Sequence, residues 1–295
     1  MPLPDDVRAA AARVAAQARS VRIADEAIEP YAGTLSPESP PAPDLGGTLE
    51  ERAAFSLTLN AINFGSGWFP TLRKPDGMSG FRTVEAGLRA HGPWTAGGLA
   101  AMTPGEIAAA VGQDPGHELM GLFAAHLREL GERVREHGSF LALARSGDGS
   151  AVALAEELGR LHGWHDVSTY EGRPVPLFKR AQLAAADLAL AGIAPADDLP
   201  ALTLFADNLV PHVLRIDGVL EFDPALVARI DAEELIEHDS PEEVEIRACA
   251  VHAVDRLVAA HGATTATAVD NLLWHRGAAP RYKAHPRHRA RTTDY

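Results

Sequence analysis

Gly116-His117-Glu118-Leu119-Met120-Gly121-Leu122-Phe123-Ala124-Ala125-His126-Leu127-Arg128-Glu129-Leu130-Gly131-Glu132-Arg133-Val134-Arg135-Glu136-His137-Gly138 is the stretch on which the fold turns. Leu119, Leu122, Phe123, Leu127, Leu130 and Val134 recur at three- and four-residue spacing. At 3.6 residues per turn that spacing gathers them on one face. Gly138 then offers the left-handed conformation that ends helices. The stretch therefore predicts a long amphipathic helix, and the same grammar recurs on both sides of it. Residues 5–19 are alanine-rich behind Asp5 and Asp6, whose carboxylates suit a helix N-terminus. Ser150 opens another helix, expected to close at Gly163. Ser240-Pro241-Glu242-Glu243 sets a cap, a first-turn proline and two acids in order, predicting a helix to about His261. Asp223-Pro224 starts a shorter one, and Phe178-Lys179-Arg180-Ala181-Gln182 opens one running to about Gly192.

Strand signals are few. Residues 173–178, after the turn-like Glu171-Gly172, read as a short extended piece. Residues 33–48 hold Pro37, Pro40, Pro41 and Pro43 and read as a loop or an ordered arm. The expectation is an all-α, mostly helical fold, one compact domain over residues 1–295, with few short strands.

Bulk properties narrow the function. The 295 residues carry a formal net charge of −13, and only Lys74, Lys179 and Lys283 are lysines. A protein gripping a nucleic-acid backbone needs clustered cations to displace counterions, so no nucleic-acid partner is expected. No apolar run approaches the roughly 20 residues of a membrane helix, and the N-terminus lacks the pattern of a signal peptide. One cysteine, Cys249, forms no internal disulfide, which fits a cytoplasmic setting. Thirteen histidines invite a metal reading. Neither His162/His165 nor His285/His288 joins a cluster of metal-site spacing, so no metal is expected.

Four segments carry candidate chemistry. In residues 202–211 an apolar run enters Asp207 and Asn208, and Pro211 disfavours helix at Val210, so a helix should bend or stop there. A carboxylate beside such a break is a partly desolvated base or nucleophile, or an ordinary capping aspartate. Lys179 puts a cation in a helix's first turn, against the dipole. Either it is a solvated surface group or something anionic lies nearby. Asn63-Phe64-Gly65-Ser66-Gly67-Trp68 is a small-residue turn flanked by aromatics, open to a flat ligand or simply a helix end. The tail Pro286-Arg287-His288-Arg289 is basic in an acidic chain, fit for a phosphate or merely solvated.

Together with Glu243-Val244-Glu245-Ile246-Arg247 and Asp270 with Trp274, these segments resemble, in order, the queuosine salvage family from about residue 21 onward. Asn60 and Asn208 depart from residues common among its members. The resemblance implies a fold like that of helical DNA glycosylases without their DNA-binding parts. It also implies release of queuine from queuosine 5′-monophosphate for reuse in tRNA modification, with no cofactor. It further implies that Asp207 is the catalytic carboxylate with Lys179 beside it. Asn63, Phe64, Ser66, Phe205, Asn208, Glu245, Asp270, Trp274, His288 and Arg289 are the expected substrate contacts, with Lys179, His288 or Arg289 taking the 5′-phosphate. Two other readings are a helical glycosylase acting on a base in nucleic acid and a non-catalytic binder of a modified nucleotide.

Overall fold

In the computed structural model, which describes residues 2–36 and 45–295, fifteen α-helices and two small antiparallel ribbons are present. The middle of the proline-rich stretch, 37–44, lies outside the described residues. Helix Pro241–His261 runs through the core. Its residues from Glu243 to Val251 are all buried, because helices Leu3–Ala15, Asp25–Ala32, Val210–Ile216 and Ala266–Arg276 pack around it. Leu49–Ala61, Glu118–His137, Ala151–Gly159 and Lys179–Leu190 pack alongside one another as a second group. The buried apolar side chains from Leu3 to Tyr282 form one contiguous cluster. Among the described residues no helix is long and apolar enough to cross a membrane.

Helix starts follow the local signals. Ser240 and Ser150 accept N–H groups three residues on, and Asp223 caps Pro224–Asp231. Glu118–His137 ends on Gly138 with φ of 89°. The extended piece pairs Arg173–Pro176 with Val167–Tyr170 through Glu171 and Gly172, both at positive φ, as a tight hairpin requires.

Two expectations need correction. The helix after Ser150 stops at Gly159 rather than Gly163, because Glu129 takes the N–H groups of His162 and Gly163 (2.7 and 2.8 Å) and bends the chain into a short 3-10 turn. Residues 202–206 are not helical, and Pro211 starts a helix instead of stopping one. Its missing N–H falls in the first turn, where no partner within the helix is needed.

Candidate active site

Asp207 sits where the extended run 202–206 turns into helix Val210–Ile216. Its Oδ1 accepts the N–H groups of Leu209 (2.7 Å) and Val210 (3.2 Å), so it does cap the following turn. Its Oδ2 makes no hydrogen bond among the described residues, and the residue is half-buried. One oxygen is anchored while the other stays open. Capping and catalysis are therefore compatible in this carboxylate.

Lys179 is only 4% exposed, and its Nζ donates to the Asn63 carbonyl at 3.2 Å. Burial pulls its pKa down to about 8, while the negative charges of Asp207 and Asp270 oppose that fall. The anionic partners that a first-turn lysine calls for are thus the aspartates. Its helix is tied to the Asp207 segment by a buried side-chain exchange. Gln182 Nε2 donates to Thr203 Oγ1 (2.9 Å), and Thr203 N donates to Gln182 Oε1 (3.0 Å).

Two more carboxyls complete the centre. Asp270 accepts the Phe205 N–H (3.3 Å). Burial, and then the charge of Asp207, lift its pKa well above the usual carboxylate range. Asp187 accepts Asn60 Nδ2 at 2.9 Å, and burial raises its pKa to about 6 against that hydrogen bond and the charge of Lys179. Arg287 feels burial first and the charge of Asp207 next. Its guanidinium has no hydrogen bond or ion pair among the described residues. Asp187 and Arg287 stand outside the expected contacts. Arg287 lay unselected within the basic tail, and nothing in local periodicity singles out Asp187.

The remaining expected contacts divide. Asn63 meets Lys179 through its carbonyl, and Phe205 meets Asp270 through its amide. Asn208 Nδ2 reaches the His288 carbonyl (3.2 Å). Ser66 is buried with its Oγ unpartnered among the described residues, and Trp274 is half-buried against Phe81 with Arg82 over its ring. Phe64, by contrast, is enclosed by Phe123, His126 and Arg180. Glu245 is fully engaged as well, accepting the N–H groups of Arg19, Ser20 and Val21 and the Tyr170 hydroxyl. His288 is buried, and burial drops its pKa to about 3, so its ring carries no charge for a phosphate. Arg289 pairs with Glu233 (3.3 Å).

Among the described residues one histidine–carboxylate group has cation-like spacing, formed by His238, Asp239 and Glu243. Burial works against charge on His238, but the neighbouring carboxylates of Asp294 (3.0 Å) and Glu243 (3.6 Å) outweigh it and lift its pKa to about 10, which favours a protonated ring there. A surface cavity of about 550 Å³ lies elsewhere, beside Arg19, Arg22 and Arg256. Each of those arginines is already paired with a carboxylate.

The helical scaffold thus sets an aspartate with one unbonded carboxylate oxygen near a buried lysine and two further carboxyls, groups of the kind glycoside hydrolysis uses. The chain belongs to the queuosine salvage protein family, whose model matches residues 99–295 and so spans Lys179, Asp187, Asp207, Asp270 and Arg287. Over 96% of its length it is 34% identical to a Sphaerobacter thermophilus protein named queuosine 5′-phosphate N-glycosylase/hydrolase, covering 95% of that protein. A Dictyostelium discoideum protein of the same name is 34% identical over 57% of this chain and 56% of its own length. One from Schizosaccharomyces pombe is 32% identical over 41% and 37%.

Proposed function

We propose that this protein hydrolyses the N-glycosidic bond of queuosine 5′-phosphate and releases queuine. The observation that carries the reading is Asp207, with Oδ1 held by two backbone amides and Oδ2 open beside Lys179. As the base leaves, positive charge builds on the ribose. A fixed carboxylate oxygen facing C1′ stabilises that charge. The base is a 7-deazaguanine, which has carbon in place of N7, so protonating N7 cannot improve the leaving group. Asp270, inclined towards the neutral acid, can instead donate a hydrogen bond to a polar edge of the substrate, while Asp187 stays an acceptor at neutral pH. Lys179 stays cationic below about pH 8 and balances the acids around the sugar.

The 5′-phosphate is assigned to Arg287, which carries a guanidinium without an ion pair among the described residues near Asp207. Phosphate held there uses remote binding energy to fix the ribose over Oδ2, so it should raise kcat as well as lower KM. Unphosphorylated queuosine should turn over much more slowly, and Arg287→Ala should narrow the gap. Equal kcat/KM for the two substrates in the intact enzyme would remove the clamp. A net charge of −13 favours a free nucleotide over a base in nucleic acid, and a cytoplasmic setting belongs to the same reading.

The test is incubation with queuosine 5′-phosphate and chromatography of the products. Free queuine and ribose 5-phosphate should appear together in equal amounts. Tight binding with the nucleotide recovered intact would make the protein a binder and overturn the reading.

A further inference from the structure

Asp207 follows the extended run 202–206 and Lys179 opens a helix, and one buried ion pair holds both segments. Arg247 is fully buried and Asp166 is 1% exposed. The Arg247 fork donates to both oxygens of Asp166, Nη1 to Oδ1 at 3.0 Å and Nη2 to Oδ2 at 2.6 Å. Its third nitrogen, Nε, donates at 3.0 Å to the carbonyl of Ala206, the residue immediately before Asp207. Asp166 in turn accepts the Lys179 N–H through Oδ2 (2.8 Å), and its own carbonyl accepts the N–H groups of Leu177 and Phe178 (3.0 and 3.1 Å). Phe178 has a left-handed backbone, φ of 49°, and offers no side-chain cap to the helix it precedes. Such a conformation persists in a non-glycine residue only when its surroundings hold it. Here Asp166, twelve positions before Phe178, both caps the helix and holds the turn.

We infer that Asp166 and Arg247 are positioning residues for the hydrolysis, one guanidinium fixing the backbone of Asp207 and, through Asp166, that of Lys179. The inference rests on the reading under Proposed function for its chemistry and on the hydrogen bonds alone for its geometry. A planar fork with a third donor at a fixed angle is what this link needs. Lysine keeps the charge but cannot address Asp166 with two bonds and Ala206 with a third at once. Small misplacements of a catalytic group are costly, roughly 10²-fold for about 1 Å.

Arg247→Lys and Asp166→Asn are the informative variants. The second is isosteric and keeps an acceptor for the Lys179 N–H, so it carries the test should the first not fold. Glu50→Gln is the matched control, because Glu50 also accepts the N–H groups that open another helix, those of Phe140 and Leu141. With queuosine 5′-phosphate, both variants should lose about 10-fold or more in kcat with KM within a few-fold. In the ligand-free protein, the titration of the Lys179 ammonium followed by NMR should move. Glu50→Gln should lower the melting temperature and leave kcat and that titration where they were. Wild-type kcat and an unmoved Lys179 titration in both variants would overturn the inference, as would an equal loss of kcat in Glu50→Gln. Should the wild-type protein release no queuine, the functional reading falls, and the Lys179 titration alone decides the positioning role.

Discussion

At the residue scale the centre is organised around Lys179. Burial holds its pKa near 8 against the charges of Asp207 and Asp270, far below the 10.5 of a free lysine. The enzyme therefore loses this positive charge as pH rises through about 8, and kcat/KM should fall there. A flat profile to pH 10 would remove the ammonium from the reaction. The stability sign runs the other way. Between about pH 8 and 10.5 the folded state binds fewer protons at this site than the unfolded chain, so the residue's contribution to stability grows as pH climbs through that window. At neutral pH its buried charge is a net burden, and Lys179→Met should melt at a higher temperature than the parent while losing activity. A lower melting temperature would mean that the hydrogen bond to Asn63 outweighs desolvation. Asp207 was legible as a dilemma, base or cap, because a local window displays both. The cap is made by Oδ1 alone, which leaves Oδ2 for the catalytic role proposed above. Arg287 was harder to single out, because only the chain's return to Asp207 separates it from its basic neighbours.

At the scale of elements, helix starts were readable because their capping residues act within three positions, as at Ser150, Asp223 and Ser240. Helix Leu49–Ala61 drew no assignment, since it is buried continuously from Ser56 to Ala61 and shows no amphipathic alternation. The misread helix at 202–211 has the opposite cause, a proline whose meaning depends on which side of it the helix lies. The basic tail is a packed element. Gly67 N donates to the Ala290 carbonyl (3.1 Å), Gly65 N to that of Tyr295 (3.1 Å) and Ile236 N to that of Arg289 (2.9 Å). A Cβ on Gly67 would stand 2.5 Å from the Ala290 carbonyl oxygen. Gly67→Ala should therefore push the tail away, costing about 1–3 kcal/mol and loosening the Asn208–His288 contact. Thermal melting is the check, and an unchanged transition would show that the tail is not held at this turn.

For the whole molecule, helical content and acidity were visible in composition and periodicity, whereas the meeting of residues 166, 179, 207, 247, 270 and 287 depends on long-range packing that no window contains. The centre sets its aspartates within the electrostatic reach of an ammonium and a guanidinium, which already supply positive charge. Exhaustive chelation should leave the rate unchanged, and activity lost and then restored by a divalent ion would contradict that. If the open oxygen of Asp207 stabilises charge on the ribose, Asp207→Asn removes that stabilisation and little else. The amide keeps an oxygen to accept the Leu209 and Val210 N–H groups, so the turn should survive while the charge is lost. Queuine release from queuosine 5′-phosphate, followed under single-turnover conditions, should fall by ~10³ or more in kcat with the protein still folded. A folded variant within a few-fold of the parent rate would contradict that role.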